Sequence, residues 1–189
     1  MIHEVIVTTV SEAQKVHIAP MGIKLIDQKI IISPFKPSQT LDNILNNNIA
    51  TVNFIDDVRV FAGIVSKYKK DWDLTDQHEL DIVPNLALAN TYYNVIVNKF
   101  EEDEQRPNII CDIKNSKILK PFMGFNRAQF SVIEASVLIS RLGMISMDKI
   151  NKEIKYLKIG IDKTAGPREI EAWQWIEKKI NDYKGNLKL

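Results

Sequence analysis

The feature that most constrains this chain is a change of hydrophobic period at Pro121. Before it, β-branched and apolar residues gather in short runs separated by turn residues; after it, apolar residues recur at helical spacing. A chain of this kind folds its first two thirds as sheet and its last third as helix. At 189 residues it is long enough for one domain with a sizeable core and a smaller appended one.

The runs Ile2 to Val10, Lys15 to Ile26, Lys29 to Ile32, Ile49 to Ile55, Leu86 to Glu101 and Arg106 to Leu119 read as six strands. Ser11 to Gln14 and Asp27-Gln28 are tight connections. Glu102 to Gln105 joins the last two runs into a long hairpin whose charges read as a solvated surface. Short helices are expected over Thr40 to Asn46, ending in an asparagine run that tolerates the left-handed conformation, and over Val58 to Lys67, started by Asp56-Asp57. Lys67 to Leu80, with Tyr68, Trp72 and His78, reads as a loop or lid. Six strands with two short helices suit a closed or nearly closed antiparallel barrel over residues 1–121.

Residues 122–189 carry three helical stripes: Phe130, Ile133, Val137, Leu138 and Arg141; Ile150, Ile154 and Leu157; and Ile170, Trp173, Ile176 and Ile180, the last entered through Pro167. They form an expected three-helix appendage, packed on the barrel or on a partner chain.

Composition excludes several functions. Lys and Arg number 25 against 24 Asp and Glu, so there is no global field for nucleic acid or an anionic membrane, and anion recognition has to be local. No apolar run approaches a membrane span, and Met1 to Val10 lacks the basic flank and apolar core of a signal peptide, so a cytoplasmic protein is expected. Three histidines and one cysteine show no metal-ligand spacing. Cys111, inside an apolar strand, reads as a buried inert thiol.

The stretch Ser33 to Ile44 has the most chemistry. It runs from a strand into a helix and places Lys36, Ser38 and Thr40 where free helix N–H groups gather, an arrangement suited to an anion. Helix capping by Ser38 or Thr40 accounts for the same residues. In Ile18-Ala19-Pro20-Met21-Gly22-Ile23, proline removes a ladder donor and glycine admits another backbone or a flat ligand; a bulge or an edge position accounts for them equally. Asn53, the one strongly polar residue of its strand, either serves a site or finds a backbone partner. Asn126 and Arg127 open the first appended helix. They are candidates for an anionic substrate, or else Asn126 caps the helix and Arg127 pairs with Glu134 or Asp162.

Lys15 to Ile23, followed by Pro37 to Ile44 and Ala50-Thr51-Val52-Asn53, resembles the FMN-binding split barrels, the superfamily of flavin reductases and pyridoxamine-phosphate oxidases. Ser38-Gln39 replaces a Lys-Asp usual before the Thr. Gly124 to Ala128, Val132 to Ala135, Arg141-Leu142 and Lys163 to Gly166 narrow the likeness to domain-of-unknown-function family 447, over about Val5 to Trp175. Ser140 stands where a Thr is usual, and Ala165-Gly166 where a Gly pair is usual.

The resemblance implies a homodimer of six-stranded split β-barrels with FMN near the subunit interface. FMN phosphate would fall to Lys36, Ser38 and Thr40, with Asn43 on ribityl or phosphate. The isoalloxazine would lie along Ala19, Pro20, Met21, Gly22 and Ile23, with Asn53 completing the polar set. The expected activity is an oxidoreductase or flavin reductase on a small organic substrate, such as a pterin or C1-pathway intermediate. The alternative is a non-catalytic FMN-binding dimer whose helical appendage binds a partner.

Overall fold

A computed structural model describes residues 1–75 and 83–186. The strands are β1 (Ile2–Val10), β2 (Val16–Ile26), β3 (Lys29–Ile32), β4 (Ile49–Phe54), β5 (Thr91–Glu101) and β6 (Asn108–Ile118). The helices are α1 (Gln39–Asn47), α2 (Arg59–Ser66), α3 (Arg127–Ser140), α4 (Met147–Thr164) and α5 (Pro167–Asn186). The chain forms two compact units, residues 1–55 with 72–122, and residues 56–71 with 123–189.

The first unit is a closed barrel in the order β1-β2-β3-β6-β5-β4, every pairing antiparallel. The six expected strands are all present. Alternation on the pleat sends Val5 and Val7, Ile23, Ile30 and Ile32, Ala50 and Val52, Val95, Ile109 and Cys111 into one core. Helix α1 adds Leu41 and Ile44 to that core. Ser38 starts α1, its side chain accepting from the Leu41 N–H, and Asn48 ends it in the left-handed conformation with φ 58°. Burial, aided by the nearby Asp112 charge, pushes the Cys111 thiol up to about 12, so it is protonated and inert at neutral pH.

Strand β3 has four residues and pairs with β2 only at Ile23 to Ile26. From Val16 to Gly22, β2 has β1 on one edge and no second strand on the other among the described residues. Pro20 therefore occupies an open edge and is not a bulge, since its pairing with Ile6 is in register.

Outside the barrel, residues 83–86 lie on β1, β4 and β5, held by polar side chains. Thr8 Oγ1 donates to the Pro84 carbonyl at 2.7 Å, and Thr51 Oγ1 donates to that of Val83 at 2.6 Å. Asp73 to Thr75 and Asn85 to Ala87 exchange backbone hydrogen bonds around a Leu74 to Leu86 bridge. Of the expected loop or lid, residues 76–80, His78 included, fall outside the described residues.

The second unit is helical, and α2 belongs to it: Val58 and Ala62 share a core with Ala128, Val132, Ala135, Ile150, Leu157, Trp173 and Ile176. Strand-half order in the sequence had placed residues 56–71 with the barrel. Stripe α4 lies as expected. On α3, however, the buried face is Ala128, Ser131, Val132, Ala135, Ser136 and Ile139, while Phe130 is 55% exposed. On α5, Ile170 is exposed and Glu169 buried. The cause on α3 is close approach to α4 at Gly160, where a Cβ would fall 2.5 Å from Ser131 Oγ and 3.1 Å from the Arg127 carbonyl oxygen. Only small residues fit that contact. Among the described residues no helix is long and apolar enough to cross a membrane.

Asp57, 2% exposed, holds the start of α2. It accepts from Arg59 Nε at 2.9 Å and Nη2 at 2.6 Å, with Arg168 Nε at 3.7 Å, and Arg59 also reaches Glu171 at 2.9 Å. Burial alone would raise the Asp57 pKa, but the hydrogen bonds and charge of Arg59, with Arg168, hold it below the usual range.

Two outcomes follow for stability. Gly→Ala inside a helix ordinarily stabilises by about 1 kcal/mol, but Gly160→Ala is expected to destabilise by about 1–3 kcal/mol through overpacking, measured by urea unfolding. Asp57 has a depressed folded pKa, so its stabilisation is complete above the unfolded pKa near 3.8 and disappears as pH falls through the lower folded value. Asp57→Asn is expected to cost about 3 kcal/mol at pH 7 by leaving Arg59 short of its partner. It should also flatten the fall in melting temperature below pH 4.

Candidate functional site

Neighbouring strands β1, β2, β3 and β6 turn Ile2, Glu4, Lys24, Ile31, Ser33 and Asn108 to one side of the sheet. Register places Gly22 opposite Glu4 in the middle of this face. With no side chain there, the surface sinks into an open groove of about 370 Å³, closed at one end by Arg106. A Cβ on Gly22 would meet Ile2 Cγ2 at 2.9 Å and Glu4 Oε1 at 3.6 Å, so the glycine makes the space.

The pleat divides the expected flavin cradle. Ile23 is a barrel-core residue at 1% exposure, and Met21 packs against the same core, so these side chains face inward, as Ala19 does by parity. Pro20 and Gly22 have the outward parity, and Gly22 alone of the five lines the groove.

At the Arg106 end the wall is the β3–α1 connection. The Arg106 guanidinium lies 4.4 Å from the centroid of the Phe35 ring, and its Nε and Nη2 donate to the Ser33 carbonyl at 3.3 and 3.1 Å. Ser33 Oγ and Asn108 Oδ1 are 2.8 Å apart, and the Lys36 N–H donates to the Gln105 carbonyl at 2.9 Å across a connection with a cis Lys36-Pro37 bond. The connection and the β5–β6 turn are thus one body.

Within it the anion candidates differ. Lys36 Nζ is paired with Glu102. Ser38 is the N-cap, as the capping alternative required. Thr40 is 2% exposed, on the helix face that also buries Leu41, Asn43 and Ile44. Asn43 turns its amide inward, donating to Thr9 Oγ1 at 2.9 Å and accepting from Gln39 Nε2 at 2.8 Å. Both residues face the barrel because the apolar stripe of α1 closes its core.

Asn53 is fully buried in the wall. Its Nδ2 donates to the Ile6 carbonyl at 3.1 Å, and its Oδ1 accepts from the Leu86 N–H at 2.8 Å. It holds residues 83–86 in place, which is the backbone-partner alternative. Asn126 caps α3, its Oδ1 accepting from Ala128 at 2.7 Å and Gln129 at 3.2 Å, and donates to the Thr164 carbonyl at 3.1 Å. Arg127 is exposed; Asp162, one of its expected partners, pairs with Lys158 at 2.8 Å. These two residues stand in the helical unit, and the groove belongs wholly to the barrel unit.

The sequence reading passed over Glu4, Lys24, Phe35, Arg106 and Asn108. Two signals mark three of them: hairpin parity sets Glu4 and Lys24 beside Gly22, and Phe35 sits inside the stretch that already carries Lys36 and Ser38.

Comparison with known proteins bears on the family and the fold. Residues 3–120 match the family described as "Protein of unknown function (DUF447) N-terminal domain", and residues 126–178 match "Protein of unknown function (DUF447)". The uncharacterized protein MJ1453 of Methanocaldococcus jannaschii is 27% identical over 164 residues, 82% of this chain and 81% of that one. The crystal structure of the FMN-bound protein MM1853 from Methanosarcina mazei, itself assigned to DUF447, has TM-score 0.78 at 22% identity and 94% coverage of both chains. The styrene monooxygenase flavin reductase of Pseudomonas putida S12 has TM-score 0.52 at 14% identity, covering 62% of this chain and 81% of that one. Flavoredoxin from Methanosarcina acetivorans has the same score and identity over 65% of this chain and 72% of its own. The fold is that of the FMN-binding split barrels, and with both of its halves matched the chain belongs to the DUF447 family.

Proposed function

We propose that this chain binds FMN and acts as an oxidoreductase or flavin reductase on a small organic substrate, a pterin or C1-pathway intermediate being the class the family resemblance suggests. The observation that carries the reading is the groove over Gly22, an open space in the outer sheet face into which a side chain at that position would project. FMN-bound MM1853 shares this fold. Its volume lies in the range of small-molecule sites.

The residues suit the cofactor. Gly22 and the aliphatic parts of Ile2 and Ile31 offer an apolar bed for a planar ring, bordered by the charges of Glu4 and Lys24. At the other end Ser33 of the β3–α1 connection and the guanidinium of Arg106 border the groove. When bound, the flavin supplies the hydride chemistry, and the protein contributes position and exclusion of water. The open groove is completed in this reading by a second copy of the chain in a cytoplasmic homodimer. A second reading keeps FMN but no turnover, with the helical unit docking a partner; the outward Phe130, Tyr156, Ile159 and Ile170 favour it.

Freshly purified protein is expected to show flavin absorbance or to take up added FMN, and to run in light scattering at twice the 21.7 kDa chain mass. A colourless protein that ignores FMN would sink the reading. Gly22→Val should still fold, with a lowered melting temperature because the 61% exposed Ile2 has to turn away from a 2.9 Å approach, and should lose FMN affinity at least about tenfold. Anaerobic reduction of bound flavin by NADH or NADPH, followed by transfer to a substrate, separates the enzyme from the non-catalytic reading.

A further inference from the structure

We propose that Arg106 is the phosphate clamp of the groove and the residue that makes it select FMN over riboflavin. The inference deepens the flavin reading and rests on it.

Three observations carry it. The first is preorganisation. The Arg106 N–H donates to Asp103 Oδ1 at 2.7 Å, its Nε and Nη2 donate to the Ser33 carbonyl, and its guanidinium is stacked on Phe35. A side chain held at both ends loses little rotamer freedom on binding an anion. The same turn is anchored electrically: the Arg106 and Gln105 N–H groups hold the Asp103 carboxyl below its usual pKa, so it stays an acceptor at neutral pH.

The second is availability. Lys36 is paired with Glu102, and Lys29 with Asp112 at 2.5 Å. Among the described residues Arg106 has no carboxylate within ion-pair distance, and the Ser33 carbonyl engages its Nε and Nη2 but not its Nη1. Five N–H donors in a planar fork, two of them used on a carbonyl, leave an edge that matches a phosphate.

The third is distance. Gly22 lies on β2 and Arg106 two residues before β6, with β3 between them, so two strand spacings of roughly 4.8 Å across the sheet and two residues of roughly 3.3 Å along it separate the ring bed from the clamp. An extended five-carbon polyol phosphate spans that gap. Phe35, 61% exposed, leaves its ring open to the guanidinium that lies 4.4 Å from its centroid.

The test titrates FMN and riboflavin, by quenching of flavin fluorescence, into the full chain and into Arg106→Gln, Arg106→Lys and Phe35→Leu. The wild type is expected to prefer FMN. Arg106→Gln should lose at least about tenfold in FMN affinity, as expected for a hydrogen-bonded charge, while riboflavin affinity stays the same. Arg106→Lys should recover part of the loss, since it restores charge without the fork, and Phe35→Leu should show an intermediate loss confined to FMN. An unchanged preference in Arg106→Gln and Phe35→Leu overturns the clamp and leaves the flavin reading standing. Equal loss of both flavins also overturns it, because the residue then shapes the groove and not phosphate recognition. A wild type that binds neither flavin overturns the flavin reading, and the clamp with it.

Discussion

The nine-residue antiparallel ladder between β1 and β2 sets everything else in the barrel unit. Because side chains alternate along a strand, its register decides that Val5, Val7 and Ile23 face the core while Ile2, Glu4, Gly22 and Lys24 face out. A slip of one residue would push Ile23 into solvent and close the groove with Met21. Burying three branched side chains fully stabilises the fold by roughly 1.5–3 kcal/mol each, so the core enforces the register and the register in turn fixes the groove. A site on such a face needs no strained backbone: Gly22 is there for the atom it lacks.

A second constraint is the use of buried polar groups. Thr8, Thr51, Asn53 and Asn94 are buried together on β1, β4 and β5, and they spend their donors on carbonyls of residues 83–84 and on one another. Unsatisfied, each would cost about 1–3 kcal/mol; satisfied, they pin residues 83–86 to the barrel wall. Polar residues inside strands of this barrel therefore mark where a loop is fastened.

Much of this was legible beforehand. Six strands and five helices follow from β-branched runs, from Pro167, and from caps such as Ser38 and Asn126, because these signals are local. What escaped depends on neighbours distant in sequence. Asn53 looked like a ligand residue since nothing near it in the chain announces that residues 83–86 will lie over it. The stripe on α3 was assigned to its largest apolar residues, whereas the contact with Gly160 rewards its smallest. Along residues 19–23 the pleat presents only alternate side chains to one face, so Gly22 alone of the five lines the groove. Arg106 was hidden among turn charges, and only the return of the β5–β6 turn to the β3–α1 connection sets it beside Phe35.

The brevity of β3 has an effect reaching beyond the groove. Ending after four residues, it leaves one edge of β2 from Val16 to Gly22 without a strand among the described residues, the kind of edge on which another extended chain can template itself. Pro20 stands in the middle of that stretch. Lacking an N–H, it offers no donor to an extended chain laid on that edge.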